Sequence, residues 1–194
     1  NLVILSSPTF AMYDVYSKAF DAKITYIKYI HNQKGKISLD LNSLFKVLKK
    51  KPKLLCLPNP DSPTGSIIDE KTLNQIIKLC NKIGCYVLID EAYHLFYEKS
   101  QIKKINQYKN LIIVKSFSKA FGLAGLRAGC LISNIETIKY LKSFKPMYEI
   151  NHFCSAVLDN IFTKKGINII KKSISEKKEG KRVFLNFLKK NRFN

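Results

Sequence analysis

Apolar residues in this chain fall into short runs, separated by longer stretches in which apolar and polar positions alternate with helical spacing. Short runs rich in Val, Ile, Leu and Tyr are typical of buried strands. They predict strands at residues 2–5, 23–29, 53–57, 86–89, 111–114 and 128–132. Because strands that alternate with helices form βαβ units, the pattern predicts an α/β fold with a mostly parallel sheet and flanking helices.

Helical periodicity fills the intervals between the predicted strands. Segment 71–83 has an apolar face at i, i+3, i+4 and i+7, made of Leu73, Ile76, Ile77 and Cys80. Similar spacing predicts helices at 12–20 and 40–49. These helices are expected to be structural.

The pattern changes near residue 134, after which only helical segments follow, at 135–144, 153–163 and 167–188, with Pro146 as a break. We expect residues 1–145 to form a large domain and 146–194 to be connecting helices that lead into a truncated small domain. The chain begins in an apolar strand without an initiator methionine. We interpret it as a fragment that lacks the N-terminal part of the large domain.

The net charge of +20 raises the possibility of nucleic-acid binding, since dense positive charge attracts phosphate backbones. However, only three of the 34 basic residues are arginine, the residue that base readout and bidentate phosphate recognition favour. The lysines are spread along the whole chain. This distribution indicates a solvated lysine-rich surface and no nucleic-acid partner.

The cysteines indicate a reducing compartment. The five of them form no Cys-x-x-Cys pair and no Cys/His array, so we expect neither a zinc site nor a disulfide framework. No apolar run approaches the roughly 20 residues needed to cross a bilayer. We therefore expect buried free thiols in a cytoplasmic protein without a membrane partner.

Three polar clusters follow three predicted strands. They are 58–65 (Pro-Asn-Pro-Asp-Ser-Pro-Thr-Gly), 90–93 (Asp-Glu-Ala-Tyr) and 116–119 (Ser-Phe-Ser-Lys). In open α/β sheets, ligands bind beyond the carboxyl ends of the strands. The clusters are therefore expected to converge on one site.

Lys119 is the candidate reactive group of that site. A lysine amine can condense with a carbonyl to form a Schiff base. Ser116 and Ser118 either cap a turn or bind a phosphate together with Arg127, whose planar guanidinium suits phosphate oxygens. These groups together could hold a phosphorylated aldehyde covalently. The glycines nearby match neither the Gly-x-x-x-x-Gly-Lys-Ser/Thr nor the Gly-x-Gly-x-x-Gly nucleotide loop.

Asp90 and Tyr93 each admit two interpretations. Asp90 is either a helix cap or turn residue, or the counter-ion of a protonated pyridine nitrogen. Tyr93 is either a packed aromatic side chain or a phenol directed toward the same ring.

The three clusters carry a resemblance to a known family. Residues 116–129 match Ser/Thr-x-Ser-Lys-x-x-Gly-x-x-Gly-x-Arg-x-Gly, residues 90–93 match Asp-x-Ala-Tyr, and residues 8–13 match Pro-Thr-Tyr/Phe-x-x-Tyr. With these motifs the chain resembles the fold type I pyridoxal-phosphate-dependent aminotransferases of classes I and II, especially the histidinol-phosphate aminotransferase branch. The resemblance covers most of the chain.

The resemblance implies a role for each matched residue. Lys119 would form the Schiff base with pyridoxal 5'-phosphate, Asp90 would contact the pyridine nitrogen, and Tyr93 the ring hydroxyl. Phe10 would stack on the ring; the alternative for Phe10 is ordinary core packing. The resemblance also implies small-molecule amino and keto substrates and a homodimer.

One position departs from the family pattern. The family usually has Asn-Pro-x-Asn-Pro-Thr-Gly, whose second asparagine donates to the ring hydroxyl, but Ser62 occupies that position here. A serine hydroxyl is shorter and would reach the ring through a water or a moved loop. The family's upstream phosphate-binding segment and downstream substrate-carboxylate arginine are expected beyond the two ends of the chain, and Arg192 is not assigned that second role.

The expected function is that of an aminotransferase that moves an amino group from an amino acid or amino-phosphate to a keto acceptor. A decarboxylase or β-lyase of the same fold is the first alternative, which the Ser62 departure leaves open. A non-catalytic nucleic-acid-binding protein is the second, but it leaves the three clusters unexplained.

Overall fold

A seven-stranded sheet runs through the protein, whose computed structural model describes residues 1–31, 35–147 and 149–191. The strands are β1 (Leu2–Ser7), β2 (Lys23–His31), β3 (Ile37–Leu39), β4 (Leu54–Pro58), β5 (Tyr86–Asp90), β6 (Leu111–Ser116) and β7 (Gly129–Ile132). Their order across the sheet is β3-β2-β1-β4-β5-β6-β7.

The sheet is parallel in its centre and antiparallel at both edges. β2, β1, β4, β5 and β6 pair in parallel, whereas β3 and β7 are antiparallel to their neighbours. The α/β fold with a mostly parallel sheet is therefore confirmed. The pattern of apolar runs did not predict β3, because its three residues are too few to show an alternation.

Within the described residues, six α-helices flank or follow the sheet: α1 (Ala11–Ala19), α2 (Leu41–Leu48), α3 (Glu70–Ile83), α4 (Ile135–Lys142), α5 (His152–Ile161) and α6 (Lys164–Lys190). Five of them begin after a side chain that accepts a hydrogen bond from a first-turn N–H, as in Asp69 with the N–H of Thr72. α3 ends at Gly84, whose φ of 73° suits glycine.

Apolar clusters lie on both faces of the sheet. The larger core cluster joins β1, β4 and β5 to the apolar faces of α2 and α3. A smaller cluster of Val3, Leu5 and Cys56 packs with Tyr13 of α1 on the other face. A third cluster joins Ile170 and Ile174 of α6 to Ala120, just after β6.

The cysteines are free thiols, four of them buried and Cys130 partly exposed. Among the described residues, no helix has the length and apolar character needed to cross a membrane. Arg192 lies outside the described residues. The division of the chain near residue 145 stays a prediction.

β7 begins at Gly129, which pairs with Ser116 of β6. A Cβ atom on Gly129 would lie 2.8 Å from the backbone oxygen of Lys115. That distance is too short for a non-bonded contact, and the neighbour is backbone that cannot rotate away. Gly129 is therefore required by the spacing of these two strands.

We expect Gly129→Ala to lower the free energy of unfolding by about 1–3 kcal/mol, because the added methyl group must push β7 away from β6. Urea unfolding of the full-length protein measures this. Gly125→Ala is the matched control, since nothing lies within 4 Å of a Cβ at that position. Equal stability of the two variants would contradict the expectation.

Candidate functional site

The carboxyl ends of the parallel strands surround a cavity of about 430 Å³. All eight residues singled out from the sequence line it: Phe10, Ser62, Asp90, Tyr93, Ser116, Ser118, Lys119 and Arg127. The parallel register explains this convergence, because Pro58 pairs with Asp90 and Asp90 with Val114, so the ends of β4, β5 and β6 lie side by side. Pro58, Ala92 and Val114 add apolar walls.

Asp90 is the last residue of β5, and both of its carboxylate oxygens accept hydrogen bonds. The phenol of Tyr13 donates to Oδ2 at 2.5 Å, and the N–H of Ala92 donates to Oδ1 at 2.8 Å. The second bond makes Asp90 a turn residue, as one interpretation held. The turn does not remove it from the cavity, so the structure combines the turn position with a carboxylate facing the site.

Tyr13 was not among the site residues predicted from the sequence. Burial, followed by the negative charge of Asp90, raises the pKa of Tyr13 far above its usual value. The phenol therefore remains a hydrogen-bond donor to Asp90 at any physiological pH. Its signal in the sequence was the spacing Phe10-x-x-Tyr13, which brings both side chains to the start of α1.

Phe10 immediately precedes α1 and is 54% exposed, which is inconsistent with ordinary core packing. Its ring meets that of Tyr13 edge-on, with 6.1 Å between centroids. Phe10 therefore contributes an aromatic ring to the lining of the cavity and packs against Tyr13.

Lys119 is exposed and lines the same cavity. Its Nζ lies 5.4 Å from the centroid of the Tyr93 ring, within the range of a cation–π contact. The phenol of Tyr93 in turn reaches Ser62 Oγ at 3.5 Å. The amine has no ion pair with a carboxylate in the described part of the chain, and it lies over the face of the Tyr93 ring.

The Ser116–Lys119 segment and Arg127 form one end of the cavity. The N–H of Ser118 donates to Ser116 Oγ at 3.0 Å, so Ser116 does stabilise a turn, while its own hydroxyl proton remains available. Arg127 has a left-handed φ of 53°, rare for a residue with a side chain, and its Nη1 donates to the carbonyl of Ala124 at 3.3 Å. Two hydroxyls and one guanidinium therefore face the same space.

The 58–68 segment is held rigidly beside the cavity. The N–H of Asn59 donates to the carbonyl of Asp90 at 2.8 Å, and Asn59 Oδ1 accepts from the N–H of Ile68, also at 2.8 Å. Asp61 accepts from the N–H and the hydroxyl of Thr64. These bonds close the loop and present Ser62 to the cavity.

A second cavity, of about 510 Å³, shares Pro60, Ser62 and Tyr93 with the first. Its far wall is α6, from which Lys177, Lys178 and Lys181 line it. Lys178 forms an ion pair with Glu98 at 3.0 Å. The other two lysines have no charged partner among the described residues, so the wall carries net positive charge.

Behind the first cavity, Lys115 and Glu91 form a buried ion pair with 2.9 Å between Nζ and Oε2. His94 lies in the turn that follows Glu91, to whose carbonyl its N–H donates. Burial, followed by the positive charge of Lys115, lowers the pKa of His94, and Glu91 opposes this shift. The residues that the structure describes contain no group of three or more His, Cys, Asp or Glu placed to hold a metal ion.

Comparison with known proteins gives a consistent result. The family model for aminotransferase class I and II matches residues 1–180. A histidinol-phosphate aminotransferase of Thermoanaerobacter sp. (strain X514) is 41% identical over 152 residues, which are 78% of this chain and 41% of that protein. The chain thus spans less than half the length of this relative.

Solved structures show the same fold at lower identity. The histidinol-phosphate aminotransferase from Clostridium acetobutylicum superposes with a TM-score of 0.82 and 23% identity, over 97% of this chain and 56% of that one. A pyridoxal-phosphate-bound C–S lyase from Staphylococcus hominis superposes with a TM-score of 0.81 and 20% identity, over 98% and 50%.

The lowered pKa of His94 predicts a dependence of stability on pH. Below the usual histidine value of 6.5, the unfolded chain binds a proton at this position more readily than the folded protein does. The stability that depends on neutral His94 is therefore fully present above pH 6.5. It is lost as the pH falls through the lower pKa that His94 has in the folded protein. We expect His94→Gln to lose less stability than the wild type between about pH 7 and about pH 5, measured by urea unfolding. An equal loss in both proteins would show that His94 does not contribute.

Proposed function

The chain belongs to the class I and II aminotransferase family, and on this premise we propose that the protein is a pyridoxal-phosphate-dependent aminotransferase in which Lys119 is the catalytic residue. The reaction would move an amino group from an amino acid or amino-phosphate donor to a keto acceptor. One observation carries the proposal: an amine, a carboxylate, two hydroxyls and a guanidinium face a single cavity of about 430 Å³.

The groups around the cavity fit the chemistry of pyridoxal 5'-phosphate at each of its ends. Asp90 offers a carboxylate for a protonated ring nitrogen, and Ser116, Ser118 and Arg127 offer donors for a phosphate. Lys119 supplies the amine for the aldehyde. Phe10, Ala92 and Val114 offer apolar surface for the faces of the pyridine ring.

When bound, the cofactor supplies an electron sink, and the protein supplies orientation and proton transfer. Asp90 would keep the ring nitrogen cationic, because a nearby carboxylate favours the protonated form. Its two hydrogen bonds, from Tyr13 and Ala92, hold it in one orientation. Lys119 Nζ would accept the proton that leaves the substrate α-carbon and deliver it to the C4' carbon of the bound cofactor, the former aldehyde carbon.

Ser62 leaves one alternative open, a decarboxylase or β-lyase. The hydroxyl stands where the family pattern has an asparagine, and in this structure its partner is the phenol of Tyr93. Loss of the amide donor changes the hydrogen bonding offered to the ring hydroxyl, and with it the electronic properties of the ring. Release of carbon dioxide or pyruvate, in place of keto-acid-dependent amino transfer, would identify this alternative.

The second cavity supports an acidic substrate. It opens beside Ser62 and Tyr93, so a substrate held at Lys119 has room to extend toward α6. Lys177 and Lys181 give that wall its positive charge, which attracts a carboxylate or phosphate. An amino-phosphate or a dicarboxylic amino acid is the substrate class that fits this arrangement.

A homodimer is also part of the proposal. α1 and the residue that ends it carry large exposed side chains: Tyr16 is 60% and Phe20 83% exposed. Exposed aromatic side chains of this kind are enriched at protein interfaces. We also propose a cytoplasmic location, because the five cysteines are free thiols. The division into a large domain and connecting helices near residue 145 is proposed because the sheet ends at β7.

The catalytic assignment predicts that Lys119→Ala abolishes covalent attachment of the cofactor. The full-length wild type, incubated with pyridoxal 5'-phosphate, should show a visible absorbance band, and borohydride should fix the cofactor on the peptide that contains Lys119. Lys119→Ala should lose both signals and lower activity by roughly 100-fold or more. Lys109→Ala is the control, because that lysine is exposed at the far end of β6 and pairs with Glu136. A band and an adduct that persist in Lys119→Ala would overturn the assignment.

The charged wall predicts that Lys177→Ala combined with Lys181→Ala raises KM for an acidic amino donor by about 3- to 10-fold with little change in kcat. The effect should shrink as salt is added, since exposed charges are screened. Lys189→Ala, on the same helix but outside the cavity, should leave KM unchanged. A KM for the double variant equal to that of Lys189→Ala would refute the substrate class.

A further inference from the structure

The ion pair between Lys115 and Glu91 is almost completely buried, with side chains 13% and 3% exposed. Glu91 Oε2 accepts from Lys115 Nζ at 2.9 Å and from the hydroxyl of Ser100 at 2.6 Å, while Oε1 accepts from the N–H of Gln101 at 2.8 Å. Lys115 Nζ also reaches Ser100 Oγ at 3.4 Å. The carboxylate is thus held by three donors, and none of them belongs to the cavity.

Each partner of the pair is adjacent in sequence to a residue of the cavity. Glu91 follows Asp90, and Lys115 precedes Ser116. Successive side chains of a strand point to opposite sides, so Val114 and Ser116 face the cavity while Lys115 points away from it. The pair therefore bridges the ends of β5 and β6 on the side of these strands that the cavity does not use.

The pair acts where the backbone ladder between the two strands ends. The last paired residues of β5 and β6 are Asp90 and Val114, and the N–H of Glu91 donates to the carbonyl of Val114 at 2.8 Å. Beyond that bond, one chain turns toward Tyr93 and the other continues to Lys119. The ion pair is the next connection between them.

Glu91 also holds the segment that carries Tyr93. Its bonds to Ser100 and Gln101 close the chain from 91 to 101 into a loop whose base is the ion pair. The cation–π contact between Lys119 and Tyr93 connects the segment after β6 to the segment after β5. The ion pair between Lys115 and Glu91 joins the same two segments.

We propose that Lys115 and Glu91 are positioning residues, which set the geometry of Asp90, Tyr93 and Lys119 toward the cofactor without touching it. This inference rests on the proposed function. A buried ion pair is seldom the most stable choice, since apolar residues of similar volume are often at least as good. Directional bonds give the pair a fixed geometry that apolar packing lacks, and displacements of about 1 Å are enough to impair a site.

The experiment compares four variants of the full-length protein: Glu91→Gln, Lys115→Met, their combination, and Lys115→Arg. Three quantities are measured for each variant: the Kd for pyridoxal 5'-phosphate by absorbance titration, the pH at which the bound cofactor changes its absorbance, and the Tm without cofactor. Each single neutral variant leaves one charge buried without its partner, so both Kd and Tm should worsen. Because the double variant removes both charges, it should regain most of the Tm.

Kd and Tm should respond differently in the double variant. Its Kd should remain raised on the order of 10-fold, and the pH at which the bound cofactor changes its absorbance should be displaced from that of the wild type. Lys115→Arg keeps the charge and the hydrogen bonds, so its Kd and its absorbance titration should match those of the wild type. Ile76→Val, in the core far from the cavity, shows how much Kd changes with stability alone.

A double variant with wild-type Kd and wild-type absorbance titration would overturn the positioning role, as would a Kd that follows Tm along the line set by Ile76→Val. These outcomes are distinct from failure of the proposed function, which would appear as the absence of cofactor binding in the wild type.

Discussion

The hydrogen-bonded register of β4, β5 and β6 is the constraint on which the site depends. Three neighbouring parallel strands end at nearly the same level, with Pro58 beside Asp90 and Asp90 beside Val114. Neighbouring strands lie about 4.8 Å apart, so residues far apart in the chain are brought within reach of one small molecule. A shift of one residue in either pairing would turn Asp90 or Ser116 to the opposite face.

Much of this arrangement could be predicted from the sequence, because its causes are local. Apolar runs gave the central strands, and the rule that ligands bind at their carboxyl ends gave the meeting of the three polar clusters. β3 was missed because three residues carry no periodicity. Tyr13 and the Lys115–Glu91 pair were missed for another reason: Tyr13 is 77 residues from Asp90 in the sequence, and Lys115 is one of many lysines whose burial depends on tertiary packing.

The polar groups of the site differ in how firmly they are held. Asp90, Asn59 and Glu91 each make at least two hydrogen bonds to neighbouring segments. Lys119 and Arg127 are exposed and have few or no polar contacts. In the proposed function, a firmly held Asp90 suits a site that must keep a ring in one plane, and an exposed lysine with few contacts suits a group that changes partners during the reaction. Lys177 and Lys181 add positive charge to the neighbouring cavity.

The left-handed backbone of Arg127 has a consequence for engineering and for evolution. Glycine would adopt that φ without strain, whereas arginine there costs on the order of 1 kcal/mol. The obvious stabilising substitution at this position therefore removes the guanidinium that faces the cavity. Screens that select only for thermal resistance should enrich glycine at residue 127, and screens for growth that requires the enzyme should remove it, so this one position records which pressure a population has experienced.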